Sequence, residues 1–384
     1  MNLHVVLMIT FFFLMPIVII FLEGKYKIVK KIGGVLICYV LGALVGNIGL
    51  LPEGAYKYQD LFTQLTVPLA LPLILFSMDV RKWFKMAGSA ITSLLLGLFT
   101  VILMIFVGYW IFRESIPDIW KIAGMLTGIY TGGTPNMAAI KTALNVETEV
   151  YLMTHTYEVA LGAIYLIFIL SVGQRVFLLW LRPFKSPETG NINVDTTNLE
   201  DDFESYTGFL KKKTFLPVLA AFGLSVLIFG TSFGLSRLFP ESFATAAIIL
   251  LITTLGIAFS FVPRVKNIKK TFQAGMYIIL IFCLVVSSMA DVKKLVNISF
   301  DLFWYVALAM FGSHILHALL GKIFKLDADT VIISGSALIC SPPFVPVVAG
   351  ALRNREVILT GLIVGIAGYA VGNYLGIIIA YALK

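Results

Sequence analysis

The sequence predicts an all-α polytopic membrane protein of about twelve transmembrane helices, in two repeats read as inverted, each with a broken crossing helix. Three observations carry this reading. Of 384 residues, 59% are hydrophobic and 13% charged, and the mean hydropathy is +0.94; a soluble domain carries about 25% charge. Apolar runs long enough to span a bilayer recur from end to end. The two halves also share motifs, with Gly- and Pro-rich interruptions at matching places.

The first apolar run, His4–Leu22, has no basic residue before it and no small-residue cleavage site after it. It reads as a retained first span rather than a signal peptide. Further runs fall at 31–51, 60–80, 88–112, 118–144 (broken) and 148–181. After the insert, runs resume at 214–237, 242–262, 270–290, 298–322, 328–351 (interrupted) and 355–383. The chain therefore divides into a first transmembrane repeat at 1–184, a polar cytoplasmic linker at 185–213 and a second repeat at 214–384. The linker is polar and acidic, with Glu200-Asp201-Asp202 ahead of Lys211-Lys212-Lys213. It is too short and too polar to pack a core, so it reads as a tether.

The net charge of +8 lies in short loops such as Lys25–Lys31, Arg81–Lys85 and Arg264–Lys270. That pattern is an orientation signal, not a nucleic-acid surface. Cys38, Cys283 and Cys340 sit far apart in apolar runs, so no disulfide framework or metal-binding pair is present in the sequence.

The repeat is legible in three places. Ser77-Met78-Asp79-Val80-Arg81-Lys82 answers to Ser288-Met289-Ala290-Asp291-Val292-Lys293-Lys294. Ala143-Leu144 and Glu149-Val150 answer to Ala351-Leu352 and Glu356-Val357, and Pro135 falls opposite Pro343. Basic loops at 25–31 and 81–85 in the first half, against 264–270 and 322–325 in the second, follow different spans. This points to opposite orientations. The span count objects, because two six-span halves in series would be parallel. The charge pattern is the stronger argument.

The candidate site starts from Thr131-Gly132-Gly133-Thr134-Pro135-Asn136. Gly and Pro cannot hold a continuous helix there, and lipid offers the freed backbone groups no partner. Broken membrane helices with hydroxyl and amide side chains build transporter sites. The first half of such a helix ends in open carbonyls that favour cations, and the second begins with N–H groups that favour anions. Thr131, Thr134 and Asn136 add side-chain oxygens, enough for a sodium site; a capped kink is the structural alternative. The second interruption holds Ser334, Ser336 and Ser341 with Pro342, Pro343 and Pro346. Glu158 lies deep in an apolar run, where an acid costs about 2.5–3.5 kcal/mol and so faces the bundle interior. It reads as a cation ligand or protonatable group, or as an acid bonded for structure alone. Asn373, with Tyr369 and Tyr374, mirrors that stretch in the last span. Asp79 and Asp291 read as interfacial anchors, and His314 with His317 as packing on one helix face. Signatures of an enzyme are absent: no HExxH, no P-loop, no Gly-x-Ser-x-Gly.

Leu75–Lys82, Thr131–Ala139 and Gly368–Gly376 resemble the uncharacterised YjcL-like family of bacterial and plastid membrane proteins, over nearly the whole chain. More distantly, the chain is similar to the cation–proton antiporter and anion transporter grouping, with the sodium–glutamate and sodium–bile-acid symporters. That resemblance implies an inverted repeat, two broken helices crossing near the midplane, and a core domain moving against a scaffold through which such proteins dimerise. It places Thr131, Thr134, Asn136 and Glu158 where those proteins hold ions or polar core groups. Cys340-Ser341-Pro342-Pro343-Phe344 departs from the Asn- and Gly-rich second break of that grouping.

The expected function is a secondary active transporter of the inner membrane with elevator-type alternating access. It would couple a sodium ion or proton to symport of a small solute, anionic rather than cationic. No cofactor besides the coupling ion and no nucleic acid is expected. A cation–proton antiporter is the nearest alternative, and a membrane enzyme or receptor the alternative from another class.

Overall fold

The protein is described by a computed structural model covering residues 3–26, 28–29, 33–77, 88–185, 205–209, 211–289, 299–354 and 356–384. Asp79, Arg81, Asp291 and Lys293, and most of the 185–213 linker, lie outside the described residues. Helices and the turns and loops that join them make up the described chain, apart from one isolated β-bridge between Arg182 and Asp327.

Two compact units divide the chain, and each draws segments from both sequence halves. The first comprises Met1–Met78, Lys141–His155 and Ser205–Ile298. It contains α1 (Leu3–Lys25), α2 (Gly34–Asn47), α3 (Ala55–Phe76), α7 (Lys212–Ser236), α8 (Glu241–Ser260) and α9 (Thr271–Ser288). α9 is its most buried span, and small residues let the neighbours approach it. Gly42 and Gly46 of α2 lie directly on the α9 carbonyls of Leu284 and Ser288. Gly275 of α9 faces α3, where an added Cβ would stand 2.9 Å from the Ala70 carbonyl. Polar groups in this unit pair with one another. Gln59 donates to Ser288 Oγ at 2.8 Å, and the hydroxyls of Tyr39 and Tyr151 meet at 2.6 Å.

The second unit comprises Asp79–Ile140, Thr156–Glu204 and Ser299–Lys384. It holds α4 (Gly88–Phe112), most of α5 (Ile119–Ala143) and the larger part of α6 (Thr148–Phe168). It also holds α10, which runs Phe300–Ile323 through a π-helical turn at Leu308–Gly312. α11 (Ala328–Cys340), α12 (Val345–Leu352) and α13 (Val357–Leu383) complete it. α6 continues through a second π turn, Ile169–Gly173, to Phe177.

The expectation of twelve crossings is not carried by the structure. Among the described residues, nine helices are long and apolar enough to span a bilayer. α2, with 14 residues, is about 21 Å long, well short of a hydrocarbon core of about 30 Å. The two interrupted stretches differ more deeply: neither is a crossing helix with a kink. Gly128 and Ile140 would be about 18 Å apart along a continuous helix. Instead, a Cβ on Gly128 would overlap the end of the Ile140 side chain and stand 3.4 Å from the carbonyl carbon of Asn136. The two arms of α5 therefore fold back on each other about Gly133. The same holds for α11 and α12. A Cβ on Gly361 would lie 2.7 Å from both Ile333 and Val345, and Asn354 donates to Asp329 Oδ2 at 2.8 Å. Both broken segments are helical hairpins.

Candidate functional site

Each hairpin turns on one residue of left-handed φ. In the first it is Gly133 at φ 70° and ψ −169°, a conformation that glycine adopts without the strain a Cβ brings. Pro135 then falls in the first turn of the second arm, where its missing N–H leaves no hydrogen bond unmade. In the second hairpin the pivot is Ser341, at φ 75° and ψ 160°. A 3₁₀ turn, Pro342–Phe344, comes next and opens α12.

The two tips meet inside the second unit. A Cβ on Gly133 would fall on Ser341 Oγ and stand 3.7 Å from the hydroxyl of Tyr369. Tyr369 in turn is hydrogen-bonded to the Ser341 side chain. α13 supports both tips through a face of glycines. Gly361 and Gly365 rest on the second hairpin, the latter 2.7 Å (as an added Cβ) from Pro342. Gly368, Gly372 and Gly376 rest on the first. Gly368 lies against the Thr131 carbonyl, and a Cβ on Gly372 would sit 2.6 Å from Thr131 Oγ1. Asn136 Nδ2 donates to the Tyr369 carbonyl at 3.1 Å.

The structure thus gathers Thr131, Gly132, Gly133, Asn136 and Ser341 at one place. Thr131 is buried, and its hydroxyl donates to the Thr127 carbonyl at 2.7 Å. Thr134 is half-buried at the turn. Glu158, half-buried on α6, stands beside the tips and acts electrostatically on Tyr130 and on Cys340, the last residue of α11. Its carboxylate lies 3.7 Å from where a Cβ on Gly162 would be. Asn373 is fully buried on α13, one residue past Gly372.

Ser334 and Ser336 lie elsewhere. They sit back along α11, away from its tip. Ser334 Oγ meets Ser93 Oγ at 2.6 Å and donates to the Thr330 carbonyl. Ser336 Oγ meets the Tyr165 hydroxyl at 3.2 Å. Sequence reasoning missed Tyr130, whose hydroxyl is fully buried and has no hydrogen-bond partner among the described residues. No local pattern marks it. The glycine face of α13 was readable in the spacing of Gly361, Gly365, Gly368, Gly372 and Gly376.

Chemically, the tips join opposite polarities. The first arm of each hairpin ends in carbonyls with no helical partner, and each second arm begins with free N–H groups. Carbonyl, hydroxyl, amide and one nearby carboxylate can hold a small ion together with a polar solute. Among the described residues no three His, Cys, Asp or Glu side chains are placed to hold a metal ion. In the first unit, a separate hollow of about 360 Å³ is lined by Asp60, Gln64, Lys141 and Glu149.

A family described as "Protein of unknown function (DUF819)" matches residues 10–384. The chain is also similar to the "Uncharacterized membrane protein YjcL" of Bacillus subtilis (strain 168), with 24% identity over 366 residues. That match covers 92% of this chain and 91% of the relative.

Proposed function

We propose that this chain, which belongs to the DUF819 family of proteins of unknown function, is a secondary active transporter whose substrate site is the meeting point of the two hairpin tips. One observation carries the reading: Gly133 and Ser341, each the pivot of a broken segment, lie in contact, with open helix ends of both polarities around them. Interrupted helices at corresponding places in two halves are the usual construction of such a site. The solute is small and anionic rather than cationic, matched to the N–H ends of the second arms. The coupling ion is sodium or a proton, and one charge moving down about 100 mV supplies about 2.3 kcal/mol.

Both tips belong to one compact unit, which supports an elevator-type mechanism in which that unit carries the site as one body. The hairpins also support inverted repeats. A hairpin enters and leaves the membrane on one side. Each half then contributes five crossings, α1–α4 with α6 and α7–α10 with α13, where the short α2 joins the nine long helices by crossing a locally thinned bilayer, and an odd number turns the second half over. This reconciles the span count with the basic loops: 25–31, 81–85, 264–270 and 322–325 all fall on the cytoplasmic side.

Purified protein in proteoliposomes, given candidate organic anions with and without a sodium or proton gradient, tests the function. Gradient-driven accumulation supports it; uptake that no gradient alters counts against it. A cation–proton antiporter is the second reading, favoured by Glu158 standing beside Tyr130 and Cys340.

A further inference from the structure

The hollow of the first unit is a second polar site, and every residue that lines it belongs to that unit. Its volume of about 360 Å³ is that of a small-ligand pocket. The walls come mainly from the first turns of α3, the last turn of α5 and the first turn of α6. In the orientation proposed above, with the 25–31 loop in the cytoplasm, these helix ends face the outside.

The hollow carries opposite charges that do not meet. Lys141 is half-buried in the last turn of α5. Asp60 of α3 and Glu149 of α6, both half-buried, act on its ammonium electrostatically. Yet Lys141 makes no ion pair and no side-chain hydrogen bond among the described residues. Asp60 is oriented by Gln64, whose Nε2 donates to Oδ2 at 2.8 Å. Its Oδ1 accepts nothing among the described residues. Thr63 is buried in the wall and donates to the Gln59 carbonyl at 2.8 Å, whereas Glu147 is exposed at the rim.

A half-buried ammonium with no anion against it bears a desolvation cost that nothing in the fold offsets. Lys141, Asp60 and Glu149 stand on three different helices, so helix packing sets the gap between them. A lone anion on Lys141 would be repelled by the two carboxylates. A lone cation between the carboxylates would be repelled by Lys141. A guest carrying both signs meets an opposite charge at each end.

We propose that this hollow binds a small zwitterion of the amino-acid class, with its carboxylate on Lys141 and its ammonium on Asp60 and Glu149. The remaining volume accommodates a side chain. A bound zwitterion ties α3 to α5 and α6, so it stabilises the folded protein. The site is separate from the hairpin tips; it goes beyond the transporter reading and stands without it.

The test starts with thermal unfolding of the purified full-length protein in detergent, with each of the common L-amino acids added singly in excess. At least one should raise the midpoint. Calorimetric titration then compares that amino acid with the amine that lacks its carboxylate and the acid that lacks its amino group. Each analogue should bind at least about tenfold more weakly. Lys141→Met removes the ammonium, and Asp60→Asn removes the charge while keeping an acceptor for Gln64. Each should weaken binding of the amino acid about tenfold or more. The analogue comparison on the wild-type protein stands even where a variant fails to fold. A midpoint that no amino acid moves, an analogue that binds as well as its parent, or full affinity in both variants overturns the proposal. None of these readouts needs transport. A flat screen beside gradient-driven uptake removes this site and leaves the transporter, and Lys141-dependent binding with no uptake does the reverse.

Discussion

Gly133 and Ser341 share one backbone conformation, φ 70° and ψ −169° at the first, φ 75° and ψ 160° at the second, and they touch. The first is the glycine that this region of backbone space favours. The second is a serine held there against a strain of about 1–3 kcal/mol. The pair is asymmetric in cost, and that asymmetry is measurable.

Replacing Gly133 with Ala adds a Cβ both to a left-handed residue and on top of Ser341 Oγ. It should destabilise by about 2 kcal/mol or more. Ser341→Gly should instead raise stability by about 1 kcal/mol, though it removes the bond to Tyr369. Thermal unfolding in detergent compares the two; equal losses would mean the serine is unstrained.

Gly368→Ala and Gly372→Ala push a methyl into the Thr131 carbonyl and the Asn136 amide. Each should cost about 1–3 kcal/mol, as overpacked sites do. Gly223 and Gly230 of α7 have open space around them, so the same change there should leave the unfolding midpoint alone or raise it slightly.

Asp329 closes the base of the second hairpin. It is buried and accepts from Gln174 at 2.7 Å and from Asn354 at 2.8 Å. Asp329→Ala strands two amide donors, and each unsatisfied group costs about 1–3 kcal/mol. Denaturant unfolding should show the loss. Pairing it with Asn354→Ala should cost less than the sum, because the two changes remove one interaction.

At the tips, Thr134→Ala and Asn136→Ala should lower uptake in proteoliposomes about tenfold or more while leaving the protein folded. Wild-type rates in both would remove this place as the substrate site. Glu158→Gln separates the two transport readings. An exchanger loses its pH dependence with that carboxylate, whereas a symporter coupled elsewhere keeps it.

For orientation, single cysteines in the 25–31 and 264–270 loops should both be labelled from the cytoplasmic side, and a cysteine at either end of the chain from the outside. Termini on opposite sides of the membrane would rule out five crossings per half.

The amino-acid order by itself determined where the apolar helices lie and where two of them are interrupted. Both are local matters: a run of Leu, Ile and Phe excludes water wherever it is, and Thr131–Asn136 or Ser341–Pro343 cannot continue a helix in any surroundings. The path of the chain beyond each interruption was decided by tertiary structure. A kink and a reversal differ by the dihedral angles of one residue, and Gly133 permits either. The reversal is held by contacts far apart in sequence, such as Thr131 with Gly368 and Asp329 with Asn354. Likewise Ser334 and Ser336 carry the hydroxyls expected of a site. Yet α11 turns them towards Ser93 and Tyr165, because a helix fixes which face a residue is on but not which neighbour waits there.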